Sequence, residues 1–181
     1  LYKWITNYHQ ADYRSNVDAM TLHMAFPTSE YGSVALRYTL RLNKVDPYSS
    51  ASYAVLLAEG TKTTSELGYS FYYNTLDDNM KPTDGSFLVF SQDLAGLGGN
   101  MKFIKTEGSY TSYAKIFGDD WIGSLTLSSG FIQGYGDTSV PVQERFFKGG
   151  DDFRGFKIAG IGPRDLMTRG DYGAVGGDFY A

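Results

Sequence analysis

Cysteine is absent from this chain, which excludes a disulfide framework, a zinc–thiolate site, an iron–sulfur cluster and a cysteine nucleophile. Histidine is nearly absent. His9 and His23 are the two, and there is no His-Glu-x-x-His helix or nucleophile elbow, so catalysis is not expected. No run approaches the roughly 18 apolar residues of a membrane helix; the longest is Ala54-Val55-Leu56-Leu57-Ala58. An excess of cationic charge is also missing. The net charge is −4, which gives no ground for a nucleic-acid partner or for an anionic surface bound through charge. The pairs Asp119-Asp120 and Asp151-Asp152 read as solvated turn acids, so neither a metal nor a cofactor is expected. There is no initiator methionine and no secretory leader. The chain opens within an aromatic pattern, Leu1-Tyr2-Lys3-Trp4, and closes on Asp178-Phe179-Tyr180-Ala181, which reads as the start of a strand. It is expected to be a segment of a longer protein.

What is abundant points to strands. The 181 residues include 15 Tyr, 12 Phe and 22 Gly, a mixture suited to pleated sheet and tight turns. The dominant period is two. Val34, Leu36, Tyr38, Leu40 and Leu42 fall on one face, and Ser33, Ala35, Arg37, Thr39 and Arg41 on the other. Ten alternating residues predict a strand with one apolar and one polar side, of the length of a tilted membrane strand (about 9–11 residues). The two arginines require water or acidic partners.

The alternation recurs. Met20, Leu22, Met24 and Phe26 alternate with Ala19, Thr21, His23 and Ala25. Leu67, Tyr69, Phe71 and Tyr73 form another apolar row, and Trp121, Leu125, Leu127 and Phe131 a third. Residues 101–116 alternate more weakly. Residues 86–92 are ambiguous, because Phe87/Val89 and Leu88/Phe90 are both apolar. Short connections are expected at 27–30, 79–85 and 118–120, and longer ones at 14–17, 46–61, 96–100 and about 136–175. Short turns at one end and longer loops at the other are the pattern of an outer-membrane barrel. The expected fold is therefore all-β, an antiparallel meander of about eight strands from a transmembrane barrel. A soluble β-sandwich or propeller would also alternate. Tyr110, Tyr113, Trp121 and Tyr135 are candidates for aromatic girdles.

The long loop carries the most specific feature: Glu144-Arg145-Phe146-Phe147-Lys148-Gly149-Gly150, then Phe153-Arg154-Gly155-Phe156, then Ile161-Gly162-Pro163. Nine glycines between Gly149 and Gly177 imply special backbone angles. Arg154 is permanently charged, with five donors in a planar fork.

These motifs resemble the sixth extracellular loop of the BamA family, the assembly factors of outer-membrane proteins. Asn74, Leu76, Asp77 and Pro82-Thr83-Asp84-Gly85 look like the family's periplasmic turn, and the stretch from Ser91 to Gly99 looks like the strand and loop that follow it. The likeness covers residues 67–181; before that, only alternation and loop order agree. The resemblance implies a sixteen-stranded barrel, of which this chain would supply the fifth to twelfth strands. It implies that Phe153, Arg154, Gly155 and Phe156, hinged at Gly149 and Gly150 and supported by Arg145, Phe146, Phe147, Gly162 and Pro163, dock in the barrel lumen. Arg154 would then bond acidic residues on strands after Ala181. The implied partners are the lipid bilayer, unfolded outer-membrane clients and accessory envelope lipoproteins, the last reached through periplasmic domains outside this segment. The implied location is a bacterial outer membrane. Alternatives are a two-partner secretion transporter, a passive porin-like barrel and a soluble all-β binding protein.

Overall fold

A computed structural model describes residues 2–8, 13–49, 51–118, 120–166 and 173–181, with backbone only for 2–8. His9, Asp119 and Gly170 lie outside the described residues.

Alternation with turn residues at one end only gives a single antiparallel sheet in chain order. Its strands are β1 (Tyr2–Tyr8), β2 (Tyr13–Pro27), β3 (Gly32–Pro47), β4 (Gly60–Asn74), β5 (Gly85–Gly99), β6 (Phe103–Phe117), β7 (Trp121–Gly134) and β8 (Phe179–Tyr180). A four-residue helix, α1 (Tyr53–Leu56), lies between β3 and β4 and is capped by the Ser52 side chain. The full strands from β2 to β7 run 14 to 16 residues. At about 3.3 Å per residue this exceeds what a tilted strand needs to cross a bilayer, so they also project beyond it.

The register separates two faces. One row runs Leu22, Tyr38, Leu67, Leu94 and Ile104 across β2 to β6, and every member is exposed. Leu22 and Met24 are 57% and 61% exposed, and Leu125 and Leu127 on β7 are 56% and 58%. So many exposed large apolar side chains on one face are foreign to a water-soluble sheet and suit hydrocarbon. The other face, here called inner, carries Arg37, Gly68, Asp93 and Lys105 in the neighbouring row. The same register settles the ambiguous segment. Asp93 lies opposite Gly68, so Phe87 and Val89 point inward while Leu88 and Phe90 point outward.

Three expectations are corrected. Residues 14–17 are strand, the start of β2, because polar Arg14, Ser15 and Asn16 pair with Asp46, Val45 and Lys44 above the apolar band. Residues 96–99 also remain in β5. Gly96, Gly98 and Gly99 adopt positive φ, and a register shift between Thr64 and Glu66 absorbs the irregularity while Gly99 still pairs. Tyr113, paired with Gly85 and Ser124, shares the parity of Lys105 and faces inward, away from any lipid girdle.

Along β2 the inner face is covered at the loop end. Tyr13, Ser15, Val17 and Ala19 are buried there, whereas Thr21, His23 and Ala25 toward the turns are exposed. The cover comes from Val55 of α1 and from the connection 135–178. Its Val142 joins Tyr13, Val45 and Val55 in one apolar cluster, with Phe147 against it. Its Val140 and Phe146 pack on a second cluster of Ala95, Met101, Phe103 and Ile132. Consecutive phenylalanines thus staple the loop to both halves of the sheet.

At the opposite end, Asp77 organises the β4–β5 turn. Its carboxylate accepts from the Thr83 hydroxyl, from the Thr83 N–H at 2.9 Å and from the Asp84 N–H at 3.1 Å. These bonds, the Thr83 side chain foremost, hold its pKa far below the ordinary 3.8.

Two predictions follow from this arrangement. Leu127→Arg, outward at mid-strand, is expected to destabilise the full barrel in lipid vesicles by about 2–4 kcal/mol if it lies near the bilayer midplane. The inward neighbour Ser128→Arg is expected to cost far less, and equal losses in denaturant unfolding would contradict the facial assignment. For Asp77, the depressed pKa means that the stabilisation is present in full above 3.8 and is lost as pH falls through the lower folded value. The stability gap between wild type and Asp77→Ala should therefore stay constant from neutral pH to about pH 4 and close only in stronger acid.

Candidate functional site

The site is built where β3, β4, β5 and the long loop meet on the inner face. Arg37 and Arg41, four residues apart on β3, share that face. The Arg37 Nε donates to Asp93 Oδ1 at 2.9 Å and its Nη2 to Oδ2, a bidentate fork; its Nη1 donates to Ser70 Oγ at 2.6 Å. The side chains are 26% and 14% exposed, so the pair is poorly screened. Asp93 lies two strands from Arg37, and the residue between them is Gly68. A Cβ there would overlap the Asp93 Oδ1 and approach the Arg37 Nε to 3.0 Å. Gly68 is therefore a glycine for space, and any side chain in its place would prise the fork apart.

Arg41 serves two carboxylates. Its Nη2 lies 2.8 Å from Glu144 Oε1 and 3.6 Å from Glu66 Oε2. Glu66 is on β4, whereas Glu144 belongs to a 3-10 turn, Val142–Glu144, in the loop.

From Glu144 onward the loop runs as the motif dictates. The Arg145 Nε donates to the Val140 carbonyl at 3.2 Å and lies 3.6 Å from Asp178 Oδ1, tying the outgoing arm to the returning one. Phe146 exchanges backbone bonds with Gly177, at 3.0 and 2.8 Å. Its ring meets Tyr180 edge-on, with centroids 4.8 Å apart, and Lys105 and Lys148 stand over these two rings at 4.8 and 4.1 Å.

Beyond Lys148, which bridges to Ile161, a hairpin projects. Gly149 and Gly150 have φ of +124° and +68°, and a Cβ on Gly149 would run into the Lys157 carbonyl; the reversal is closed to other residues. At the tip the Phe156 N–H bonds the Phe153 carbonyl at 3.3 Å. Arg154 and Gly155 are then the two central residues of a four-residue turn, Gly155 taking positive φ at the third position. The Arg-Gly order is what such a turn requires if an arginine is to be thrust outward. The Phe153 and Phe156 rings stack edge-on at 6.1 Å.

The structure places Arg145, Phe146 and Phe147 in the docked base of the loop. Gly162, at φ +122°, and Pro163, whose carbonyl accepts from Val175 at 3.2 Å, form the returning arm. Phe153, Arg154, Gly155 and Phe156 are exposed, and Arg154 makes no ion pair among the described residues. A cavity of 1070 Å³ separates this hairpin from the inner wall, lined by Ser109, Ser128, Phe146, Phe153 and Tyr180 among others. No role followed from the sequence for Gly68, Asp93, Glu66 or Glu144, although Glu144 heads the loop motif. The one available signal was the demand of Arg37 and Arg41 for acidic partners, which does not say which acids meet it.

Comparison with known proteins bears on this arrangement. The Omp85 superfamily domain matches residues 5–181. The outer membrane protein assembly factor BamA of Neorickettsia risticii is 35% identical over 80% of this chain, and that of Nitratidesulfovibrio vulgaris 31% over 97%. The sorting assembly machinery 50 kDa subunit of Saccharomyces cerevisiae is 35% identical over 70%. The chain spans 19%, 22% and 25% of these proteins, respectively. The crystal structure of BamA from Haemophilus ducreyi lacking POTRA domains 1–3 superposes over 98% of this chain and 38% of its own, with TM-score 0.81 at 19% identity. The fold is thus that of a BamA barrel wall.

A prediction follows for the inner-face pair. Arg37→Ala or Asp93→Ala is expected to destabilise the full-length barrel by about 1–3 kcal/mol, less than for a fully buried pair losing one partner, because a quarter of the Arg37 side chain is exposed. Gly68→Ala should cost a comparable amount by displacing the same carboxylate. In a double-mutant cycle, Gly68→Ala combined with Asp93→Ala should lose little more than either alone; full additivity would disprove the shared cause.

Proposed function

This chain belongs to the Omp85 superfamily, and from that premise we propose that it forms part of the wall of an outer-membrane barrel that folds and inserts other β-barrel proteins. On this reading residues 1–181 are a partial barrel domain. The connection 135–178 is an extracellular loop folded into the lumen, the short turns face the periplasm, and the outer face contacts the lipid of a bacterial outer membrane. Its partners are the bilayer, unfolded outer-membrane clients and, through periplasmic domains elsewhere in the protein, accessory envelope lipoproteins. Its part is positional: it supplies wall and plug, and no bond-making step is assigned to it.

The observation that carries this reading is the long loop packed on the inner face of a sheet whose outer face exposes rows of large apolar side chains. A soluble binding protein would have no use for those rows, and a passive pore would gain nothing from a hairpin built to present a guanidinium. Arg154 is offered on a glycine-hinged, ring-flanked turn. An arginine presented this way in a water-poor lumen calls for a carboxylate, ideally held through the bidentate fork. Strands outside this segment would supply it.

The expected outcome is that Arg154→Ala in the full-length protein weakens both heat modifiability on gels and client insertion into vesicles. Removing one side of a buried charge pair costs about 3–5 kcal/mol. Wild-type behaviour in both assays would rule out the docked role.

A further inference from the structure

Glu144 stands apart from the Arg154 hairpin, and the function proposed for that hairpin makes no use of it. It is nonetheless the one buried charge among the described residues of the loop, 8% exposed. Such a group is tolerated only when it is paired, and the pairing here crosses from the loop to the wall, through Arg41 on β3, which also faces Glu66 on β4. One cation is shared by two carboxylates from different parts of the chain. On either side of Glu144 the chain is seated. Val142 enters the cluster with Tyr13, Val45 and Val55, and Phe146 exchanges two backbone bonds with Gly177.

We propose that Glu144 is a positioning residue, an ionic latch that holds the base of the long loop to β3 and so returns the chain to β7 in the register that starts β8. The geometry gives the route. A latched Glu144 places Phe146, two residues on, beside Gly177. Gly177 is followed by Asp178, whose carbonyl accepts from Ile132 at 2.8 Å, and then by Tyr180 opposite Gly130. The Phe146 and Tyr180 rings fill the space above that glycine, where a Cβ would stand 2.9 Å from Phe146 Cζ and collide with the Tyr180 ring. A slip of one residue would turn Tyr180 outward and Phe179 inward, and the Phe146 seat would be empty. Closing the long excursion unaided costs entropy that grows with loop length. Fixing its base shortens the stretch left to close from residues 135–178 to residues 147–176. The latch acts on the barrel's own closure, whatever Arg154 does at the tip.

The test uses the full-length protein in its membrane. Val142→Cys provides a reporter beside the latch, since the chain has no cysteine; any cysteine elsewhere in the protein is removed. Labelling by a membrane-impermeant maleimide is expected to be slow in this parent and roughly tenfold faster with Glu144→Ala or Arg41→Ala added, as the base opens locally. Arg41→Glu combined with Glu144→Arg preserves one cation between two carboxylates and should restore slow labelling, which a merely space-filling role would not achieve. Arg154→Ala should leave this site slow, so a failure of the hairpin reading is seen separately. Parent-rate labelling in a folded Glu144→Ala protein overturns the latch, as does fast labelling in the charge-swapped protein. If the single changes abolish folding, the swap decides: a recovered heat-modifiable barrel supports the latch, and an unfolded one refutes it.

Discussion

Two guanidinium groups set the terms for this molecule. Arg37 and Arg41 project from one side of β3 into the inner space, where the loop's Glu144 meets Arg41, and neither can give up its charge. Leaving either unpaired in such a space would cost several kcal/mol. No residue adjacent in sequence satisfies them. Arg37 reaches two strands away to Asp93 across a glycine, and Arg41 reaches to Glu66 and to the loop's Glu144. The ion pairs therefore act as cross-braces, joining β3 to β4, β5 and a segment a hundred residues downstream.

Around these braces the sheet faces two solvents. Its outer rows carry leucine, methionine, phenylalanine and tyrosine without a compensating cover, which is stable only against hydrocarbon. Its inner rows are polar toward the turns and become apolar toward the loops, where Tyr13, Val45, Phe103 and Ile132 are capped by Val142, Phe146 and Phe147. The loop thus lies over the wall with a buried base and a projecting tip. The division of labour follows from residue type: aromatic rings and one carboxylate anchor the base, and positive-φ glycines aim the tip.

The period-two pattern was legible wherever one face was apolar and the other polar, as from Ser33 to Leu42, because a strand between two media has no other arrangement. It failed where that contrast vanished. Residues 86–92 are apolar on both faces, and their register became readable only through the pairing of Asp93 opposite Gly68. Residues 14–17 looked like a loop because they are polar, yet they extend β2 past the apolar band. Residues 96–99 looked like a loop because they are glycine-rich, yet their unusual φ angles bend β5 without ending it. Turn chemistry was more local and more readable. Asp77 with Thr83 and Asp84, and Arg154 with Gly155, each take their form from neighbours within a few positions.

The sequence by itself determined the fold class, the two faces, the loop that carries the motif and the need of Arg37 and Arg41 for acids, since periodicity and charge are properties of residues in order. Only the tertiary structure decided which acids answer. Asp93, Glu66 and Glu144 stand 56, 25 and 103 positions from their arginines, and what brings them together is strand register and loop return. Gly68 makes the same point: in sequence it is one glycine among many, and its purpose appears once the carboxylate of a neighbouring strand fills the space its missing side chain leaves.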